Sequence, residues 1–231
     1  EERDLPHLLE KIRALKERWD YPIHIFAVDD GSADSSRSIL EKFADKTPLS
    51  VVAHERNRGL GPAIMSGFQA AREKAAENDV IVCMDADDTH DPELIREMVP
   101  KIEGGADVVI ASRFRPGAKQ IGVPFPRRIL SLAARWIFQL TLPIPGVRDY
   151  TCGFRAYRAG LLAQALDLFG DDLIERKGFA CTDEVLIKLA SLTDRIEEIP
   201  FILRYDKKRG VSALPLFETI IATARLIHQG R

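Results

Sequence analysis

The order of hydrophobic and polar residues changes along the chain between a helical and an extended pattern. Apolar side chains recur every three or four positions among charged ones, at Leu5, Leu8, Leu9, Ile12 and Leu15. This spacing predicts an amphipathic helix over residues 5 to 18. The β-branched run from Ile23 to Val28 ends at the turn cluster 29–32. That pattern predicts a strand and then a helix that continues to about Phe43.

The alternation of strand and helix continues to residue 111. Strands are predicted at 49–53, 80–84 and 107–111, and helices at 61–74 and 92–102. This order is typical of an α/β fold with a mostly parallel sheet. Beyond Ser112 the rhythm changes to a loop rich in Pro and Gly and then an apolar, basic stretch at 127–140. Helices are predicted after it at 159–169, 183–192 and 216–227, with a strand at 196–203.

Acidic side chains cluster where two predicted strands end. Asp29 and Asp30 follow the first strand, and Asp85, Asp87 and Asp88 follow the strand at 80–84. In an open parallel sheet, the loops at the carboxyl ends of strands converge on bound ligands. Asp85 and Asp87 stand on the same side of an extended segment, which suits a hard divalent ion that also binds diphosphate oxygens. We therefore expect Mg²⁺ or Mn²⁺ there.

Two other roles fit parts of this pattern. Single acids after strands commonly cap helices and satisfy turns. An apolar strand that ends in D-x-D is also the first strand of the phosphatase fold in which the first Asp is a nucleophile. In such an enzyme Asp85 would become a phosphoaspartate. Those enzymes carry the motif on the first strand, whereas two strand–helix units precede it here. Gly59-Leu60-Gly61 does not continue as G-x-G-x-x-G, which argues against a dinucleotide site.

Composition and charge limit the class of protein. The 231 residues, 45% of them hydrophobic, suffice for one sizeable core. The net charge of -2 gives no overall attraction to nucleic acid, and we expect none as a partner. The three cysteines form no C-x-x-C pair, so we expect reduced thiols in a cytosolic compartment. No run approaches the roughly 20 apolar residues of a membrane-spanning helix.

Seven segments resemble a known family of enzymes. VDDGSADSS (28–36), NRGLGPAIMSGF (57–68), MDADDTHDPELI (84–95) and ASRF (111–114) resemble the inverting family 2 glycosyltransferases. DYTCGFRAYR (149–158), GFACTDEVLIKL (178–189) and RYDKKRGVS (204–212) resemble their dolichyl- or polyprenyl-phosphate mannose synthase branch. The resemblance covers nearly the whole chain. It implies a GT-A fold and a metal-dependent transfer of a hexose from GDP-mannose or UDP-glucose to a lipid phosphate.

The resemblance also assigns residues to the nucleotide-sugar donor. The positions implied for the base, ribose and diphosphate are Asp29, Asp30, Asn57, Gly59, Gly61, Asp85, Ala86, Asp87 and Arg113. Among them, Asp30 is expected to hold the base. Asp85 and Asp87 are expected to hold the metal together with the residue two positions on. Relatives with a D-x-D-x-Q pattern have glutamine there, whereas this chain has Thr89.

Cations and hydroxyls are expected at the phosphates. Arg127, Ser131, Lys208 and Ser212 are implied for the acceptor phosphate, and Asp87, Arg113, Lys207 and Arg209 for catalysis. Guanidinium groups suit phosphate oxygens, although the paired arginines 127 and 128 would equally suit the solvated start of a helix. The segment 207–212 has the composition of a mobile flap. Relatives often show D-R-x-x-G-x-S-K here, and this chain has Lys207 and Ala213 at the arginine and lysine positions.

A turn implied by the resemblance and a pair of acids complete the expected site. The resemblance places Asp149, Thr151, Gly153 and Arg155 beneath the reaction centre, where they would equally suit a buried structural turn. Asp183 and Glu184 are candidates for a general base. A phosphate acceptor, with a second pKa of about 6, already carries a nucleophilic oxyanion at neutral pH, so no strong base is required.

The stretch 127–142 suits a lipid interface, because apolar residues follow paired arginines; a core helix would explain it equally well. We expect the protein at the cytoplasmic face of a membrane, with a catalytic domain over 1–213 and an amphipathic juxtamembrane helix over 214–231. The resemblance implies an apolar strand ahead of the helix at 5–18, and we expect that strand to be missing from this sequence. Three alternatives stay open: transfer to a polysaccharide or soluble acceptor, an Asp-nucleophile phosphatase, and a non-catalytic nucleotide-sugar binder.

Overall fold

Helices and strands follow one another in the order of an α/β fold. The computed structural model describes residues 1–176, 178 and 180–207. The helices are α1 (Leu5–Arg18), α2 (Ser36–Ala44), α3 (Leu60–Arg72), α4 (Ile95–Glu103), α5 (Phe125–Thr141), α6 (Ala159–Phe169) and α7 (Ala180–Ala190). The strands are β1 (Ile25–Asp29), β2 (Leu49–Ala53), β3 (Val80–Cys83), β4 (Val108–Ser112), β5 (Lys119–Ile121), β6 (Arg155–Arg158), β7 (Ile196–Pro200) and β8 (Ile202–Arg204). Short 3₁₀ turns occupy Pro92–Leu94, Gly170–Leu173 and Tyr205–Lys207.

The strands pair in three groups. β1 and β2 are parallel, and a four-stranded sheet has the order β3-β6-β4-β7. Within that sheet β4 and β7 are parallel, whereas β6 runs antiparallel to both of its neighbours. β5 and β8 form a further parallel pair. The strands before residue 112 thus have the predicted parallel character, and β6 is an inserted antiparallel strand that the hydrophobic pattern did not predict.

The apolar faces of these elements form two cores. The larger surrounds β4, whose residues Val108–Ser112 are all buried, and includes α4, α6 and α7. The smaller lies between α1, α2, β1 and β2 and contains Leu5, Leu9, Leu40 and Leu49. All five apolar residues that predicted the first helix are buried, and that helix spans 5–18 as expected. The three cysteines are free thiols.

Several predicted boundaries need correction. The strand predicted at 196–203 is two strands: β7 pairs with β4, and β8 pairs with β5. Between them the buried Phe201 uses its backbone to bond Ser112 and Lys119, so the chain passes from one sheet to the next. The last long helix before the end of the described chain begins at Ala180 rather than 183. The helix predicted at 216–227 lies outside the described residues. None of the described helices combines the length and the apolarity needed to cross a bilayer.

The first turn of α3 packs against the backbone that follows the Gly170–Leu173 turn. A Cβ atom on Gly61 would lie 2.0 Å from the carbonyl oxygen of Arg176 and 3.0 Å from Cγ2 of Ile174. Contacts below 3 Å do not occur between real carbon side chains and backbone, so the two segments must separate if residue 61 gains a side chain. Glycine at this position permits the close approach.

We predict that Gly61→Ala destabilises the protein by about 1–3 kcal/mol, the usual cost of overpacking a tight contact. For a domain of this size the melting temperature should fall by roughly 2–10 °C, measured by scanning calorimetry. Gly178→Ala is the matched control, because a Cβ on Gly178 would have no neighbour within 4 Å among the described residues that are not adjacent to it in the chain. Equal melting temperatures for the two variants would contradict the packing argument.

Candidate active site

The loop after β1 is anchored by the carboxylate of Asp30. It accepts hydrogen bonds from the backbone amides of Arg58 (2.9 Å) and Gly59 (2.8 Å), and Nδ1 of His54 lies 2.6 Å away. Partial burial opposes ionisation, but the bonds from His54 and the two amides lower the pKa of Asp30 below its usual value. The predicted base-binding acid therefore shapes the loop that the sequence associates with base and ribose.

Two glycines allow this loop to approach its neighbours. Gly59 has φ +99° and precedes α3. Gly31 has φ +68°, and a Cβ there would lie 2.6 Å from the backbone nitrogen of Asn57. Such φ values favour glycine. Asp29, at the end of β1, is buried and accepts a bond from the amide of Ser32 at 3.1 Å. The predicted nucleotide-binding residues Asp29, Asp30, Asn57 and Gly59 thus lie in two loops that contact each other.

The D-x-D segment follows β3 as predicted. Asp85 and Ala86 are exposed, whereas Asp87 and Thr89 are buried. Asp87 Oδ1 accepts hydrogen bonds from the Thr89 hydroxyl (2.6 Å) and the Thr89 amide (3.2 Å). The amide of Asp85 donates to Nδ1 of His90 at 3.1 Å. Each of the two acids is thus held by a residue that follows it in the same loop.

This segment fits a hard divalent cation. Its donors are two carboxylates, one of them with 49% of its side chain exposed, and oxygen ligands of this kind suit Mg²⁺ and Mn²⁺. Gly153 lies close to Asp85, because a Cβ atom added to Gly153 would be 3.9 Å from Asp85 Oδ1. Within 1–176, 178 and 180–207, no three His, Cys, Asp or Glu side chains form a closed metal cage. The remaining ligands would have to come from hydroxyl, water or diphosphate oxygens.

Helix α1 holds the D-x-D loop from outside. Asp88 has φ +58°, a left-handed conformation that aspartate adopts more readily than most residues. Its buried carboxylate accepts a hydrogen bond from Lys11 (2.5 Å) and contacts Nδ1 of His7 (2.6 Å). Burial opposes ionisation, but these two partners lower the pKa of Asp88. Arg18 on the same helix pairs with Glu93 of the following 3₁₀ turn.

The Arg113 guanidinium is engaged by Asp149. Its Nε and Nη2 atoms donate to the two carboxylate oxygens at 2.8 and 2.6 Å, and Nη2 also donates to Thr151. Asp149 is completely buried. Burial opposes both charges, but the pairing raises the pKa of Arg113 and lowers that of Asp149. The guanidinium of Arg113 therefore fixes the turn at 149–153. Direct contact of Arg113 with a phosphate stays a prediction.

The two candidate bases have different surroundings. Glu184 accepts hydrogen bonds from the amides of Glu175 and Arg176 and from Lys188, so it organises the segment that packs on Gly61. Asp183 is 1% exposed. Burial, reinforced by the nearby charge of Asp149, raises its pKa to about 8, although Arg155 and Arg113 oppose the shift. At pH 7 the Asp183 carboxyl is therefore mostly protonated.

The predicted acceptor residues lie around β8 and α5. Nη1 of Arg127 donates to the Tyr205 hydroxyl at 2.6 Å, and its guanidinium lies over that ring. The Ser131 hydroxyl is buried and has no hydrogen-bond partner among the described residues. Lys207 lies beside Lys11; partial burial and then this neighbour lower the pKa of Lys207. Lys208, Arg209 and Ser212 lie outside the described residues, so their expected roles stay predictions.

Three residues of the site were not anticipated from the sequence. His54 orients Asp30, His7 binds Asp88, and His90 bonds the backbone of Asp85. His90 belongs to the segment that follows the D-x-D motif. Its position between Asp88 and Asp91 is a sequence signal that could have identified it. The contact between His7 and Asp88 spans 81 positions, and no local pattern reports it.

The comparisons with known proteins agree on one family. Residues 1–166 match the family described as Glycosyl transferase family 2. The dolichol-phosphate mannosyltransferase of Pyrococcus furiosus is 31% identical over 215 residues, which are 93% of this chain and 56% of the relative. The undecaprenyl-phosphate mannosyltransferase of Micrococcus luteus is 36% identical over 177 residues, 76% of this chain and 70% of the relative. The chain thus spans little more than half of the archaeal relative.

Solved structures show the same fold. Glucosyl-3-phosphoglycerate synthase from Mycobacterium tuberculosis, in complex with Mn²⁺, uridine diphosphate and glucosyl-3-phosphoglycerate, aligns with a TM-score of 0.68 and 19% identity, covering 98% of this chain and 74% of that one. Staphylococcus aureus TarS aligns with a TM-score of 0.60 and 22% identity over 98% of this chain and 37% of that one. These likenesses confirm the predicted GT-A-like α/β fold. On the strength of the family match and these relatives, the chain belongs to glycosyl transferase family 2.

Proposed function

We propose that this chain is the catalytic part of a metal-dependent inverting glycosyltransferase that moves a hexose from a nucleotide-sugar to a polyprenyl or dolichyl phosphate. The observation that carries the proposal is the pair Asp85 and Asp87 at the end of β3, each held by a loop neighbour. The proposal is supported by relatives named as mannosyltransferases that act on dolichol phosphate and undecaprenyl phosphate. Family membership also argues against the phosphatase alternative.

The donor would lie across the loops at the ends of β1 and β3. Asp30, Asn57, Gly59 and Gly61 belong to the loops proposed for base and ribose, and Asp85, Ala86 and Asp87 to the loop proposed for the diphosphate. A cation held by Asp85 and Asp87, with Thr89 as a further oxygen, would neutralise the charge that develops on the departing diphosphate. Mannose is the leading sugar because two relatives are named for it; GDP-mannose and UDP-glucose are the donors to test first.

The acceptors named for the relatives support a phosphate acceptor. Transfer to a sugar hydroxyl needs a group that accepts a proton, and a buried carboxyl whose pKa is raised to about 8, such as Asp183, is a candidate for that role. A phosphate monoester needs no such base, because it is already ionised. The task left to the protein is to hold two anionic groups together. Arg127, Lys207, Lys208 and Arg209 are the cations proposed for it, with Ser131 and Ser212 as hydroxyl donors.

Helix α5 is proposed as the membrane contact. Five of its exposed large apolar side chains follow one another at intervals of three or four residues, at Phe125, Ile129, Leu132, Trp136 and Leu140, and exposed Ile137 lies beside them. Phe138 alone is buried on this helix and faces the core. Exposed Arg128 borders the apolar stripe, an arrangement that suits an anionic lipid surface. A lipid-linked acceptor would be presented at such a surface, which we place at the cytoplasmic face of a membrane.

The first prediction concerns the donor. We expect nucleotide-sugars to raise the melting temperature by several degrees in the presence of Mn²⁺, because a ligand that binds only the folded state stabilises it. Asp85→Asn and Asp87→Asn should remove the cation-dependent part of this shift. Asp91→Asn is the matched control, since Asp91 only caps the 3₁₀ turn and asparagine also caps. Absence of any cation-dependent shift with GDP- or UDP-sugars would refute the proposal.

The second prediction concerns the acceptor. Asp183→Asn should retain transfer to a polyprenyl phosphate within about 10-fold, whereas loss of a true general base costs about 10²–10⁴-fold. Radiolabelled sugar transfer to short-chain lipid phosphate measures this. A loss of about 10³-fold would instead favour a soluble or polysaccharide acceptor.

Thermal unfolding at several pH values tests the premise about Asp183. With a folded pKa of about 8 against a usual value of 3.8, the carboxyl's contribution to stability is fully present below pH 3.8. It is lost as the pH rises to about 8. The asparagine variant lacks this loss. The melting temperature of the variant minus that of the wild type should therefore become more positive from pH 5 to pH 8.5.

The third prediction concerns the lipid surface. Phe125→Glu combined with Leu140→Glu should weaken binding to anionic vesicles by about 10-fold or more, because each side chain loses its apolar burial and gains a negative charge. Vesicle flotation measures the effect. Leu168→Glu is the control: this leucine of α6 is 62% exposed but is not part of the α5 stripe. Unchanged flotation of the double variant would show that α5 does not contact lipid.

A further inference from the structure

The ring of His90 is held rigidly beside the D-x-D loop. Only 6% of its side chain is exposed. The ring stacks on Phe154 with the centroids 4.9 Å apart and the planes 10° from parallel. Phe201 meets it edge-on at 5.4 Å. Both phenylalanines are buried, so the ring cannot turn without displacing core side chains.

The hydrogen bond to this ring fixes its tautomer. The Asp85 amide donates to Nδ1 at 3.1 Å, so Nδ1 carries no proton and the neutral ring has its proton on Nε2. Nε2 lies 3.8 Å from Oδ2 of the same aspartate. His90 therefore bonds the backbone of Asp85 through Nδ1, and its Nε2 atom lies near the carboxylate but beyond hydrogen-bond distance.

Asp85 and Asp87 differ in how their side chains are surrounded. Asp87 is 6% exposed and receives two bonds from Thr89. The Asp85 side chain is 49% exposed, and an exposed carboxylate loses rotamer freedom when it is fixed on a ligand. A backbone held in place reduces that loss. Groups that orient metal ligands in this way commonly change metal affinity 10–100-fold.

We propose that His90 is a positioning residue that presets Asp85 for a divalent cation, through the hydrogen bond that its Nδ1 atom accepts from the Asp85 amide. The inference rests on the proposed function, because it assumes that Asp85 binds a cation. It assigns His90 no contact with the sugar, the acceptor or the reacting atoms.

Three variants separate the polar role of the ring from its packing. His90→Phe keeps an aromatic ring on Phe154 and removes both nitrogens. His90→Asn places an amide oxygen near the position of Nδ1, and so restores the acceptor for the Asp85 amide without the aromatic ring. His24→Phe is the matched control, because His24 also lies against a phenylalanine ring, Phe26 at 4.7 Å, and contacts a side chain, Ser50, away from the D-x-D loop.

The affinity for Mn²⁺ is measured by calorimetry in the presence of UDP or GDP. We expect His90→Phe to weaken it by about 10-fold or more. His90→Asn should lie between this variant and the wild type, and His24→Phe should equal the wild type. Nucleotide affinity without the cation should be the same in all four proteins. Melting temperatures establish that each variant is folded.

The outcomes distinguish this inference from the proposed function. Wild-type Mn²⁺ affinity in folded His90→Phe overturns the role of His90 and leaves the proposed function standing. Absence of cation uptake by the wild type overturns both. Nitrogen-15 resonances of the His90 ring, recorded without metal, decide the matter even if His90→Phe does not fold: a proton on Nε2 supports the inference, and a proton on Nδ1 overturns it.

Discussion

A buried guanidinium, that of Arg155, joins the elements on which the candidate active site is built. None of its side chain is exposed, and it donates to the carbonyl oxygens of Tyr150 and Thr182. On β6 it lies opposite Cys83 of β3 and Ile110 of β4. A buried cation is costly unless it is paired and hydrogen-bonded. The turn before β6 and the beginning of α7 must therefore remain against the strand that leads into the D-x-D loop.

Much of the fold could be predicted because its hydrophobic periods are strong. The first helix was predicted to the residue, and β2 and α6 also match their predicted bounds. β6 was missed because its four residues, Arg155–Arg158, include two arginines, and no apolar run identifies them as a central strand. β5 has only three residues and is mostly exposed. Such strands are specified by their neighbours in the fold rather than by their own sequence.

The candidate site was predictable where one short motif carries the chemistry. Asp85, Asp87 and Thr89 are near in sequence, and the strand before them places them at a ligand-binding edge. The partners that orient these loops could not be predicted in the same way. His7 reaches Asp88 from 81 positions earlier, and Asp149 pairs with Arg113 across 36 positions. These contacts exist only once the chain has folded, and a single sequence contains no local signal of them.

The short strand β8 and the residue that follows it connect the D-x-D loop to helix α5. The Arg204 amide donates to the carbonyl oxygen of Thr89, in the loop that carries Asp87, and the next residue, Tyr205, binds Arg127 near the beginning of α5. Gly122 allows the backbone to pass within van der Waals contact of Asp206, where a Cβ would lie 2.7 Å from its nitrogen. A displacement of this strand by one residue would disturb both partners at once. The position of the D-x-D loop is therefore tied to that of the beginning of α5 through three consecutive residues of one short segment.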